Sequence, residues 1–176
     1  TPPIDEGPFL KEERNLINAI AETIGRQVAL QESQWDRRER VKELTCLYGI
    51  AKAAGRAGGG IDAFLNEIID LIPPAWRFPD AAQARITLDG RAFATEGFRE
   101  SAYRQSADIT IDGIVRGKVE VVYARKAPST DEEAFLKEER NLINEIARQV
   151  GLIVLNWETE QETARLRSLI AQVQQF

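Results

Sequence analysis

The sequence predicts an α+β domain carried between two long helices, and three observations lead there. Segments at both ends repeat apolar residues every three or four positions, the middle alternates apolar and polar residues around two Asp-Gly pairs, and one ten-residue stretch occurs twice. That stretch, FLKEERNLIN, stands at residues 9–18 and again at residues 135–144. At the same offset of 126 residues, Pro2 pairs with Pro128, Asp5 with Asp131, Glu6 with Glu132, Ile20 with Ile146, Ala21 with Ala147, Gly25 with Gly151 and Val28 with Val154. The repeat therefore covers about the first thirty residues.

Taken in order, Phe9, Leu10, Leu16, Ile17, Ile20, Ile24 and Val28 leave Lys11, Glu12, Glu13 and Arg14 on the opposite side, the pattern of an amphipathic helix. No proline interrupts residues 31–54, and Trp35, Val41, Leu44, Leu47, Tyr48 and Ile50 keep a helical spacing. Gly25 and Gly49 cost about 1 kcal/mol each without stopping the helix. It ends at Gly55 and the three glycines of residues 58–60. A second helix is predicted over Asp62–Leu71, capped by Asp62 and closed ahead of Pro73-Pro74, because the residue before a proline is driven from helical angles.

The period then changes. Ala84, Ile86 and Leu88 alternate with Arg85, Thr87 and Asp89, and Asp89-Gly90 is a hairpin signal leading into residues 91–95. Ala107, Ile109 and Ile111 alternate likewise up to Asp112-Gly113, and Val119, Val121 and Tyr123 follow Gly117. An antiparallel sheet with one buried face is the expectation. The last helix is predicted from about Glu132 to the chain end, capped by Thr130 with Glu133 or by Ser129 with Glu132. Along it Leu152, Leu155, Thr159, Glu162, Leu166, Leu169, Val173 and Phe176 are spaced alternately three and four apart. This is a heptad seam with a polar middle at Thr159 and Glu162.

These elements divide the chain. Residues 1–30 read as the closing helix of a preceding repeat, 31–45 as a connecting helix, 44–155 as one whole domain and 156–176 as an outgoing helix. A parent built as a tandem array follows, and the lack of any Met together with Thr1 at the start reads as a piece of a longer protein. Before Leu155 the last helix should lie on its own domain. Beyond Trp157 a second chain is the expected cover, which predicts a parallel homodimer.

Composition removes several function classes. The net charge is -5, and from Cys46 to Asp131 eleven basic residues stand against eleven acidic ones, with no basic stripe for phosphates. Nucleic acid is set aside as a partner. No apolar run is long enough to span a membrane and no signal peptide is visible, so a cytoplasmic fragment without membrane contact is expected. Cys46 is the single cysteine, which rules out an intrachain disulfide and fits a reducing compartment. Without His there is no Ser-His-Asp set, and the glycines at 58–60 lack the following Lys and Ser or Thr of a phosphate loop. Carboxylate pairs such as Glu12 with Glu13 and Glu138 with Glu139 lie on polar helix faces beside Lys11, Arg14, Lys137 and Arg140. No catalytic residue and no metal site is assigned, and the fragment is read as not an enzyme.

The element order, LeuTyrGlyIleAla at 47–51, IleProProAlaTrp at 72–76, AlaArgIleThrLeuAspGly at 84–90, SerAlaAspIle at 106–109 and the closing PheLeuLysGluGluArg at 135–140 together resemble a GAF domain. The likeness is to the short type found in the sensory regions of bacterial and archaeal histidine kinases and related signalling proteins. It implies a central antiparallel sheet, helices from both ends bundled on one face, a small-molecule pocket on the other and parallel dimerisation through coiled-coil-like connecting helices. The absence of His excludes a histidine-ligated haem. Bilin attachment would need a pocket cysteine, whereas Cys46 lies at the start of the first domain helix and reads as a small buried thiol. Cyclic nucleotide is disfavoured because the NKFDE pattern does not occur.

A ligand would be met by residues 96–106, where Phe98 and Tyr103 could close over it while Arg99 and Arg104 offered charge to an anion. The competing reading has these aromatics covering the sheet and the arginines facing water. Trp76 faces the same choice between stacking on a ligand and anchoring its loop to the core. Two functional expectations result. One is a sensory or regulatory module, with a sensor histidine kinase as parent in a two-component system, that passes a change of state along paired helices. The other is a ligand-free dimerisation and spacing module.

Overall fold

The computed structural model describes residues 11–56, 58–124 and 135–174. They form an α+β arrangement in the order α1 (Lys11–Arg56), α2 (Gly60–Ile68), β1 (Ala82–Leu88), β2 (Arg91–Ala94), β3 (Arg104–Ile111), β4 (Ile114–Tyr123) and α3 (Lys137–Val173). Two short 3-10 turns, Ile69–Leu71 and Pro73–Ala75, lead from α2 toward the sheet. The chain divides into two compact units, Thr1–Val41 and Lys42–Phe176.

The first unit contributes helical residues 11–41. Leu16, Ile17, Ile20, Ile24, Val28, Leu30 and Trp35 are all exposed along it.

The second unit holds the sheet. Its four strands run in the order β2-β1-β4-β3 and every neighbouring pair is antiparallel. Asp89 and Gly90 close one hairpin and Asp112 and Gly113 the other, all four with positive φ, which is the backbone that a two-residue turn matching strand twist requires. The inner face carries Ala84, Ile86, Leu88, Ile109, Val119 and Val121, buried against α2, the last turns of α1 through Cys46, Ile50 and Ala53, and α3 through Ile143, Ile146, Val150 and Val154. α3 comes so close to β3 that a Cβ on Gly151 would stand 2.6 Å from the Thr110 carbonyl oxygen. Only glycine fits there.

The start of α3 is fixed by a buried carboxylate. Glu139, 3% exposed, accepts hydrogen bonds from the Tyr123 hydroxyl at 2.8 Å, the Arg77 backbone N–H at 2.7 Å and the Leu136 backbone N–H at 2.7 Å. The last of these caps the helix from within its first turn. The Tyr123 hydroxyl is correspondingly held as a phenol, its pKa raised by burial and then by the Glu139 charge.

Four expectations need correction. Asp62 does not cap α2: the helix starts at Gly60, and Asp62 in its first turn pairs with Arg91 of β2. That second helix ends at Ile68 and tightens into a 3-10 turn before the prolines. β3 starts at Arg104, three residues before the alternation of Ala107, Ile109 and Ile111, because its bonding to β4 starts at Arg104 opposite Val122. The last helix begins at Lys137, not near Glu132, since Leu136 is still extended and Glu139 supplies the cap. The proposed caps at Ser129, Thr130, Glu132 and Glu133 lie outside the described residues.

Candidate functional site

The outer face of the sheet is polar where the inner face is apolar, as period-2 alternation requires. Register sets Arg85 opposite Glu120, and Glu120 opposite Ser106; one step along, Lys118 faces Thr87 on one side and Asp108 on the other. Glu120 is 2% exposed and bound from both directions, by Arg85 Nε to Oε2 at 2.8 Å and by Lys118 Nζ to Oε1 at 2.8 Å. Burial works to raise its pKa, yet the hydrogen bonds from Lys118 and Arg85 outweigh burial and hold the carboxyl below the usual carboxylate range. Arg85 also pairs with Glu100 at 2.8 Å and lies 4.7 Å from the centre of the Phe98 ring.

Those contacts belong to the loop between β2 and β3, which folds back over this face. Gln83 ties it down by donating to the Gly97 carbonyl at 2.9 Å and accepting from the Arg99 backbone N–H at 2.9 Å. Between loop and sheet lies an open concavity of about 430 Å³, lined by Gln83, Gly97, Arg99, Glu100, Ser101 and Ala124. Its lining carries the Arg99 guanidinium, the Ser101 hydroxyl and the Glu100 carboxylate, the last paired with Arg85, while the Gln83 amide is already bonded to the loop backbone. Among the described residues no group of three His, Cys, Asp or Glu is placed to hold a metal ion. No described helix is long and apolar enough to cross a membrane.

The predicted ligand residues do not all meet here. Arg99 lines the concavity, and Phe98 stands beside it on the Arg85 guanidinium. Tyr103 is half-buried and packs against the core, while Arg104 is exposed at the start of β3. Trp76 is fully buried within the core and does not line the concavity, so stacking on a ligand there is corrected to an anchoring role: behind two prolines its large indole is covered by the core cluster. Cys46 is buried too, and burial pushes its thiol up to about 12.

A second arrangement escaped the sequence reading. β4 carries an extra residue, Arg116, where its pairing with β3 shifts between Ile109 and Thr110. Its guanidinium reaches Asp89 in the first hairpin turn at 2.6 and 2.9 Å and Glu158 of α3 at 2.7 and 2.8 Å. Hydrogen bonds from Arg116 hold the Asp89 carboxyl below its ordinary range, against partial burial. Next to Glu158, Trp157 packs edge-on against Phe64 of α2 with ring centres 5.2 Å apart. These two contacts are α3's last hold on the domain, and residues 159–174 beyond them are all exposed. A bulge cannot be read from alternation, since Ile114 to Gly117 carry no apolar rhythm that would mark the extra residue.

Of the seam residues, Leu155 is half-buried against the core, and Thr159 and Glu162 are exposed. The Thr159 hydroxyl donates to the Leu155 carbonyl at 2.8 Å. Leu166, Leu169 and Val173 are 51%, 50% and 74% exposed, and Phe176 lies outside the described residues. The fold and site together define an α+β module whose sheet is closed by a helix that continues past it. No family model matches the chain, and no curated protein or solved structure matches it significantly.

Proposed function

We propose that the chain is a GAF-like sensory or regulatory module of a multidomain signal-transduction protein, a cytoplasmic sensor histidine kinase being the parent the reading favours, and that it relays a change of state along paired helices. The observation that carries this is Arg116, one side chain joined to the hairpin turn at Asp89 and to the outgoing helix at Glu158. A displacement of the turn or of the bulged strand is transmitted to α3 where the helix leaves the domain. Coupling in signalling proteins is typically about 1–3 kcal/mol, and two charge-assisted bidentate pairs in partly exposed positions supply a contribution near the lower end. The concavity beside Arg99 is where a small anionic ligand would sit.

The alternative, a ligand-free dimerisation and spacing module, is favoured by one observation. Arg85, Lys118, Glu100 and Glu120 neutralise one another, so the outer face needs no ligand to balance its charge. Native mass spectrometry of the gently purified chain separates the two readings. A dimer with a stoichiometric added mass is the expected result for the sensor, a bare dimer transfers the case to the spacer, and a bare monomer at all accessible concentrations would refute the paired-helix mechanism that both share.

A further inference from the structure

Two stretches of this chain have the same sequence and opposite surroundings. Residues 11–18 repeat residues 137–144 letter for letter, Ile20 and Val28 match Ile146 and Val154, and Ile24 stands where α3 has Val150, so the flanking charges Lys11, Glu12, Glu13 and Arg14 and an apolar stripe like that of α3 recur here. In α3 the stripe is laid on the sheet: Leu142, Ile143, Ile146, Val150 and Val154 are at most 4% exposed. In α1 the matching Leu16, Ile17, Ile20, Ile24 and Val28 are between 46% and 62% exposed.

The glycine is the sharper sign. Gly151 sits where any Cβ would collide with the Thr110 carbonyl oxygen. Gly25 occupies the matching place, although a Cβ there would meet nothing within 4 Å. A glycine within a bare helix only weakens it. A partner helix at the ordinary interaxial distance of about 8–10 Å leaves room for a side chain at that position, whereas a strand carbonyl as close as that of Thr110 requires its absence. We infer that residues 11–28 are a docking surface for a four-stranded antiparallel sheet like β1–β4, carried by a like domain that precedes this one in a longer chain with a period of 126 residues. Glu13 then takes the place that Glu139 holds, accepting from a tyrosine hydroxyl and a backbone N–H of that domain. The inference rests on the repeat and its packing, and is separate from whether the module senses a ligand.

The test lengthens the protein. A copy of residues 42–126 fused ahead of Thr1 restores the period and leaves the whole chain intact, and amide hydrogen exchange is followed through residues 16–28 and 142–154 with and without it. Exchange at residues 16–28 is expected to slow by about 100-fold or more on fusion, as for a bare helix joining a cooperative unit, and the added sheet folds. Gly25→Val abolishes the slowing in the fused protein, as Gly151→Val unlocks residues 142–154. Unslowed exchange at residues 16–28 overturns the inference even if the added copy stays unfolded, because that copy has the sequence that residues 142–154 close. Concentration-dependent slowing in the unfused chain would assign the face to a second copy and overturn it equally.

Discussion

Glu139 shows how one side chain can hold three segments of a domain together. Its carboxylate serves the turn before β1 through the Arg77 backbone, the end of β4 through Tyr123 and the first turn of α3 through Leu136. Removing it strands three donors, each at a cost that for buried groups runs about 1–3 kcal/mol before relaxation. Glu139→Ala is therefore expected to lower unfolding free energy by about 3 kcal/mol in urea denaturation, and Glu139→Gln by less, since one amide oxygen still accepts. A loss below about 1 kcal/mol for the alanine variant would show that water replaces the carboxylate and that the cap is incidental. In the sequence this residue is indistinguishable from Glu138 beside it, because helical periodicity places both near a polar flank.

At the scale of elements, the bulge in β4 decides what α3 can do. The extra residue is Arg116, whose side chain serves the Asp89 turn and Glu158 from one position. Both acids are more than a third exposed, so Arg116→Ala is expected to cost no more than about 1 kcal/mol of global stability. Its main effect should be local: faster amide exchange over residues 155–163, where the helix loses one of its two final holds and keeps only Trp157 on Phe64. If exchange there is unchanged, Arg116 is surface decoration and the relay loses its carrying observation. The other elements were largely legible. Two Asp-Gly turns and the alternation of Ala84, Ile86 and Leu88 with polar neighbours locate β1 to β4, while the cap expected at Asp62 gives way to a partner, Arg91, that only the folded chain brings near.

For the whole molecule, the question is what covers the outgoing helix. Thr159 and Glu162 interrupt a stripe continued by Leu166, Leu169 and Val173, and Thr159 spends its hydroxyl on the carbonyl one turn back. In a two-chain seam, Thr159→Leu with Glu162→Leu fills the interruption and should tighten dimerisation by about tenfold or more, readable by sedimentation equilibrium. On the sensory reading proposed above, the same pair of changes in the parent protein should flatten the response to signal, because a filled seam would lose any second arrangement. An unchanged association constant would place the seam elsewhere.

What the sequence by itself determined is whatever depends on local periodicity and turn chemistry: the α+β class, the two-residue hairpins, the long helices and the duplicated closing segment. These are properties of a few neighbouring residues, and the 3.6 and 2.0 periods record them directly. The tertiary structure decided which copy of the duplicated segment is buried, that Trp76 belongs to the core instead of a pocket, and that Arg116, Asp89 and Glu158 converge. Those outcomes join residues far apart in sequence, and long-range contact leaves no local pattern. Gly25 and Gly151 make the point most plainly, since the same residue type is idle in one helix and obligatory in the other, and the difference is a single strand carbonyl.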